Sequence, residues 1–389
     1  MKIAVISRND INDIRSWSGT DYYTFQALKI AGQKKGIDFC VIDKLYSKRN
    51  KIVIFLEKII SKLLWKTVNR VLPKDFYDYN IKFLAKQIQK ELPNDVDVIF
   101  SMTSWPLTYL KSDKIKAFYS DGEIGEYIDL YPVFKNLSTQ LRKKAIRLRE
   151  YALNNSDLVF FASEWAVNAT RKRYVNKYID KIRNVPFGAN IECTRTNEDI
   201  IRIIENKNGN EINLLFVGAN WEWKGGSIAL ETAKVLHEKG VKVHLDIVGI
   251  NNCPVKLPEY IKSHGFISKA TDEGKRKIDE LYEKAHFFIL PTRFDCYGIV
   301  FCEASSFGIP SLATRIAGVS SVVLDGKNGK LFELADGGEK YAEYIQEMLV
   351  DYENYKKMCY SSFEQYETRL NWKVAGEKII EYIEEIYAQ

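Results

Sequence analysis

The sequence predicts an α/β protein made of two doubly wound parallel-sheet domains in tandem. Three observations carry this. The chain has 389 residues, which divides into two domains of ordinary size. Short apolar runs of strand length alternate with helical patterns along the chain, the pattern of parallel sheets covered by helices. The plan also restarts near the middle, where a second strand–turn–helix opens at Asn213.

In the N-terminal half the first strand is Lys2–Ser7. A long loop with Trp17-Ser18-Gly19-Thr20 leads to a helix near Asp21–Lys34. Phe39–Asp43, Val96–Ser101, Ala117–Ser120 and Leu158–Ser163 are further strands, and Ile182–Gly188 is a last strand and exit turn. Residues 193–210 are polar, with Asn-Gly-Asn at 208–210, and read as linker. In the C-terminal half, strand Asn213–Gly218 ends at a glycine, residues 227–239 form an amphipathic helix and Val243–Gly249 is the next strand. The expected domains are 1–190, a linker 191–210, 211–370, and a C-terminal helix 371–389 that crosses back to the first domain.

Composition excludes several classes. Hydrophobic residues make up 46% and charged residues 28%, enough apolar material for large cores. No apolar run reaches the roughly 18 residues of a membrane span. Six scattered cysteines form no C-x-x-C pair, and four histidines show no metal-like spacing. A reducing cytoplasm, with no cofactor and no metal, is the expectation. The net charge of +6 is split: residues 1–189 hold 33 Lys+Arg against 20 Asp+Glu, and the remainder 24 against 31. A basic first half points to an anionic partner there. No nucleic-acid motif is present.

The most informative segment is Phe294–Pro310. It runs from strand His286–Thr292 through Asp295, a Tyr297-Gly298 turn and a short helix with Glu303, to a Gly308/Pro310 stop. Ligands of open α/β sheets bind beyond the carboxyl ends of the strands. There the amides of Tyr297, Gly298, Ile299 and Val300 would cradle phosphate, Asp295 would reach a sugar hydroxyl and Glu303 a ribose diol. A simple helix-dipole role is the competing reading for Asp295, and a solvated helix acid for Glu303.

Taken together, these residues make the chain resemble the retaining nucleotide-sugar glycosyltransferases of glycosyltransferase family 4. The matching segments are Phe216-Val-Gly218 through Trp223-Lys224-Gly225-Gly226, Asp246–Gly249, His264–Ile267, Asp295 to Glu303, Thr314 with Gly318, and Asp325–Gly329. In the first half, Trp17–Thr20, Ser120-Asp121, Ser163–Trp165 and Pro186–Asn190 fit as well. The resemblance implies a GT-B fold, two Rossmann-like domains facing each other across a cleft, with the donor on the C-terminal domain. It implies donor contacts at Gly19, Lys224, Ile267, Tyr297, Gly298, Ile299, Val300 and Glu303, and catalytic roles for Asp121, Lys224 and Asp295. Lys224 would neutralise the leaving diphosphate, and Asp121 would orient the acceptor hydroxyl or take its proton. The chain departs from the family twice. Asp295 replaces a glutamate, and Ala219-Asn220 stand where an arginine is common, with Arg293 a possible substitute clamp.

Residues 48–74 carry eight basic residues and one acid, Glu57, with interleaved Ile52, Phe55, Leu56, Ile59, Ile60, Leu63, Leu64 and Trp65. That mixture suits an interfacial helix on an anionic membrane, peripheral at the inner face and close to a lipid-linked acceptor. The expected function is transfer of a sugar from a nucleoside diphosphate sugar to a hydroxyl of a glycan or lipid-linked acceptor, in cell-surface polysaccharide or glycoconjugate synthesis. A catalytically silent GT-B partner subunit, a glycan-binding protein and a nucleotide-sugar epimerase are the alternatives.

Overall fold

A computed structural model describes residues 1–68, 73–207 and 209–389, with the side chains of Trp65 and Val68 outside the description. The chain divides into two compact units. One is Met1–Val185 with Ala375–Gln389, and the other is Pro186–Val374.

The first unit runs β1 (Lys2–Ile6), α1 (Thr20–Gln33), β2 (Asp38–Ile42), α2 (Lys51–Val68), α3 (Asp78–Glu91), β3 (Val98–Ser101), β4 (Ile115–Ser120), α4 (Ile124–Leu130), α5 (Thr139–Asn154), β5 (Leu158–Phe161), α6 (Glu164–Arg173) and β6 (Ile182–Asn184). All pairings are parallel, in the order β2-β1-β3-β4-β5-β6. The central strands β3 and β5 are buried on both faces, which is why Val98-Ile-Phe and Leu158-Val-Phe-Phe read as continuous apolar runs. The chain moves from β1 to β2 on one side and returns to β3 on the other. The switch point of this sheet therefore lies beyond the ends of β1 and β3.

The second unit runs α7 (Asn197–Glu205), β7 (Ile212–Val217), α8 (Gly226–Glu238), β8 (Val243–Val248), β9 (Ile261–Ser263), α9 (Asp272–Lys284), β10 (Phe287–Leu290), α10 (Ile299–Ser305), β11 (Ser311–Thr314), α11 (Val319–Val322), β12 (Gly329–Phe332), α12 (Gly338–Val350) and α13 (Tyr352–Thr368). Its order is β12-β11-β10-β7-β8-β9, again parallel. This is the dinucleotide-fold order, with its switch point between β7 and β10.

Helix α14 (Trp372–Tyr387) follows. From Ala375 onward it belongs with the first unit, where Gly376 lets the backbone of Ala27 in α1 approach; an added Cβ would lie 2.6 Å from the Ala27 carbonyl oxygen.

Two expectations need correction. The stretch 191–210 is not a plain linker, because it contains α7. Thr196 and Asp199 form a reciprocal capping box there, and Ile200 and Ile204 are buried with the helix packed on α13. The polar flanks hid a two-residue apolar stripe; Asn208 itself lies outside the described residues. The unit boundary also falls at Val185/Pro186 rather than after 190. Phe187 and Asn190 belong to the second unit, where Phe187 packs on Trp372 and Asn190 accepts from the Trp372 indole at 2.8 Å.

Among the described residues, the α-helical part of the 48–74 segment is Lys51–Val68. Ile52, Phe55, Leu56, Ile59, Ile60 and Leu63 form an exposed stripe at helical spacing, flanked by exposed Lys51, Lys58, Lys62 and Lys66. Lys48, Arg49 and Lys74 do not share that face. Lys48 pairs with Glu91 at 2.7 Å, Arg49 is buried against Glu57, and Lys74 lies beyond the helix. Arg70 lies outside the described residues. Among the described residues no helix is long and apolar enough to cross a membrane.

Candidate active site

The site is built at the switch point of the second unit. After β7 the chain makes a tight turn in which the Trp223 amide donates to Asn220 Oδ1 at 2.8 Å and the Lys224 amide to the Asn220 carbonyl at 3.1 Å. After β10 the chain meets that turn. The Thr292 hydroxyl and the Arg293 amide both donate to the Trp223 carbonyl, at 3.1 and 2.7 Å. Gly225 caps α8 with φ +73°, and a Cβ there would lie 2.0 Å from the Pro291 carbonyl oxygen. Only glycine allows the two loops to come this close.

This docking sets Lys224 Nζ 2.5 Å from Asp295 Oδ2, the two side chains 25% and 12% exposed. Three residues on, Gly298 (φ +85°) caps α10. The amides of Ile299 and Val300 open that helix, where no intrahelical carbonyl is available to them. Tyr297 contributes differently: its ring is buried, meets the Phe187 ring edge-on and donates its hydroxyl to the Phe187 carbonyl at 2.8 Å. Its side chain thus anchors the start of α10.

Glu303 is fully buried on α10, so it is no solvated helix acid. Its Oε1 is bound by Lys269 Nζ at 2.5 Å and its Oε2 accepts from the Tyr282 hydroxyl at 3.1 Å. Lys269 also donates to the Asn190 carbonyl at 3.0 Å. Burial and the neighbouring Glu303 push the Tyr282 hydroxyl well above the usual phenol range, so it stays a donor. A ribose diol at Glu303 would have to share or displace the Lys269 ion pair. Ile267 is half-buried in the loop after β9, beside the exposed Phe266. Arg293 donates its guanidinium to the Leu334 carbonyl at 2.6 Å, which directs it to the loop after β12.

Two expected residues belong to the first unit. Gly19 caps α1 in a left-handed run with Trp17 and Ser18, at φ +93°, +47° and +57°. Asp121 follows β4 and lines a cavity of about 420 Å³. The cap of the next helix, α4, is Glu123, whose carboxylate accepts from the Gly125 and Glu126 amides. Sequence reasoning missed Lys269, Tyr282 and Thr292. Tyr282 alone had a signal, as the last member of the buried Ile278–Leu281–Tyr282 stripe on α9.

Two Rossmann-like units, the second with an Asp–Lys pair and a short helix start at its switch point, define a GT-B fold. Residues 197–365 match the family model of glycosyl transferases group 1. An uncharacterised glycosyltransferase of Methanocaldococcus jannaschii is 22% identical over 244 residues, 62% of each chain; this protein thus spans under two thirds of that relative's length. Among solved structures, sucrose-phosphate synthase from Thermosynechococcus elongatus superposes with TM-score 0.69 at 16% identity, covering 100% of this chain and 99% of that one. HepE of Anabaena, solved in complex with UDP, has TM-score 0.62 at 13% identity and covers 99% and 100%.

Proposed function

We propose that the protein is a retaining glycosyltransferase that moves a sugar from a nucleoside diphosphate sugar to a hydroxyl of a glycan or lipid-linked acceptor, in synthesis of a cell-surface polysaccharide or glycoconjugate. The observation that carries the reading is the Lys224–Asp295 pair beside the opening turn of α10, at the switch point of a nucleotide-binding sheet order. In this account the leaving diphosphate takes over the Lys224 ammonium from Asp295 and is capped by the Ile299 and Val300 amides. Released from the lysine, Asp295 turns to the donor sugar. Glu303 holds the ribose, with Ile267 offering backbone groups to the base. The match to group 1 glycosyl transferases and the binding of UDP by HepE support a nucleotide-sugar donor. The acceptor is assigned to the first unit, where Asp121 orients or deprotonates its hydroxyl. No metal enters this chemistry, since the charge is met by protein cations and amides.

The exposed apolar stripe of α2 with its lysine flank supports a peripheral location on an anionic membrane. One observation favours the silent-subunit reading: both Glu303 oxygens are already engaged inside the protein. Incubation with radiolabelled UDP-, GDP- and TDP-sugars and a membrane extract as acceptor source tests the choice. Sugar transfer that Lys224→Ala abolishes supports the enzyme. Nucleotide binding without transfer across the acceptor panel would favour the silent subunit.

A further inference from the structure

The 420 Å³ cavity of the first unit lies at the switch point of its own sheet. Arg8 and Asn9 come from the end of β1, Met102–Ser104 from the end of β3 and Ser120–Gly122 from the end of β4. Its size suits a monosaccharide with one further substituent. The rings of Phe76, Trp105, Tyr127 and Phe134 supply apolar faces for the C–H side of a sugar.

The charges are unevenly satisfied. Arg8 is held by Asp75 at 2.8 Å and by the Tyr46 hydroxyl, and Asp75 also accepts from that hydroxyl. Arg149, reaching in from α5, is only 5% exposed. One of its nitrogens donates to the Gly122 carbonyl at 3.1 Å, and its guanidinium lies 5.9 and 5.6 Å from the Trp105 and Phe118 ring centroids, while among the described residues Nε and Nη1 have no hydrogen-bond partner. Glu123 and Asp121 act on it at a distance, and among the described residues no carboxylate reaches ion-pair distance of it. Glu123 is spent on the α4 amides and on Arg173. Lys74 is half-buried, sits 4.4 Å over the Tyr46 ring and has no ion pair among the described residues. Asp21, also in the lining, accepts at Oδ2 from the Ser7 hydroxyl and the Asn9 side-chain amide, and among the described residues its Oδ1 has no hydrogen-bond partner. A buried guanidinium without a counter-ion is costly, and its unpaired N–H groups favour an anion over a neutral group.

We infer that this cavity receives an acceptor sugar carrying a negative group, with Arg149 and Lys74 as its counter-ions and Asp21 Oδ1 accepting from a sugar hydroxyl. The inference deepens the glycosyltransferase reading and rests on it for the word acceptor. A phosphoryl group and a uronic carboxylate present the same chemistry to a guanidinium, so both are offered as probes.

Calorimetric titration of the full chain with glucose 6-phosphate, glucuronate and glucose tests this. At least one of the two anions is expected to bind about tenfold or more tighter than glucose, the effect of one charge-assisted contact of ~1.5 kcal/mol. The stronger anion identifies the source of the charge. Arg149→Met and Lys74→Gln should each bring its affinity toward that of glucose, while Lys224→Ala should leave the preference intact. If Arg149→Met fails to fold, the half-buried Lys74→Gln decides. Equal binding of anions and glucose, no anion binding, or a preference that survives Lys74→Gln would overturn the inference. UDP titration of the same samples keeps the two readings apart, because UDP binding without anion preference leaves the donor site standing and removes only the acceptor assignment.

Discussion

Lys224 and Asp295 are 71 residues apart in sequence, yet their charged atoms lie 2.5 Å apart because the loops after β7 and β10 are bonded to each other through the Trp223 carbonyl. The pair is partly shielded from water, so removing one partner strands the other. Lys224→Ala is expected to lower sugar transfer by roughly 10²–10³-fold, the usual cost of one lost transition-state charge stabiliser. It should also cost about 1–3 kcal/mol of stability, less than a fully buried pair would because Lys224 keeps some solvent. The double variant Lys224→Ala/Asp295→Ala should be less destabilised than the sum of the singles in chemical unfolding. Strict additivity would show that the pair is not coupled.

Glu303 holds two donors, Lys269 and Tyr282, inside the second unit. Glu303→Ala leaves the Tyr282 hydroxyl without that acceptor and Lys269 with only the Asn190 carbonyl, and is expected to destabilise by about 2–4 kcal/mol. Tyr282→Phe removes only one bond and should cost about 1 kcal/mol. Donor KM should rise in Glu303→Gln with a smaller change in kcat if the carboxylate holds the ribose. A pure kcat effect would move it out of that role.

Gly225 and Gly240 both have positive φ, at +73° and +79°, but only Gly225 faces a neighbour that a Cβ would strike. Gly240→Ala should therefore cost only the backbone term, about 1 kcal/mol. Gly225→Ala should cost more and weaken UDP binding, since Pro291 must retreat and the Lys224 loop with it. Equal melting temperatures for the two variants would contradict the docking of the loops.

Lys207 is buried with no hydrogen-bond partner for its ammonium among the described residues, and burial pushes its pKa down to about 8. The folded pKa lies below the unfolded value near 10.5, so charging Lys207 opposes folding. The penalty is fully present below pH ~8 and is relieved as pH rises from there toward ~10.5. Lys207→Met is expected to stabilise the protein at neutral pH by on the order of 2 kcal/mol, with the gain shrinking above pH ~8. Urea melts at two pH values check this, and a gain independent of pH would assign it to packing.

Six apolar side chains of α2 stand in solvent along one stripe, with four lysines on its flank. Charge reversal of Lys58, Lys62 and Lys66 is predicted to abolish binding to vesicles containing anionic lipid, and Phe55→Ser with Leu56→Ser to weaken it at any salt concentration. Wild-type protein that ignores such vesicles would dismiss the membrane reading.

The sheets were legible because parallel strands buried on both faces leave continuous apolar runs, as at Phe287–Leu290, and because a strand ending in a glycine turn recurs at Gly218. The short helix with Asp295 before it and Glu303 on it was legible from the Gly298 and Gly308 punctuation. What lies around Glu303 was not, because Lys269 and Tyr282 reach it from 34 and 21 residues away with no shared spacing. The α7 helix was masked by its charged flanks, its burial resting on Ile200 and Ile204 alone. Arg149 showed nothing in sequence: it is one basic residue in a basic helix, and only the fold reveals that it is buried in the lining of a cavity.

The central claim is that the Lys224 loop and the start of α10 bind a nucleoside diphosphate. Thermal unfolding with UDP, GDP, TDP and CMP, on wild type and on Lys224→Ala, tests it most directly. A nucleotide at about 100 times its Kd stabilises by roughly 2.7 kcal/mol and raises Tm by a few degrees. The account predicts that one diphosphate does so for wild type and that Lys224→Ala loses most of the shift. No shift with any nucleotide, or a shift that Lys224→Ala leaves unchanged, would contradict it.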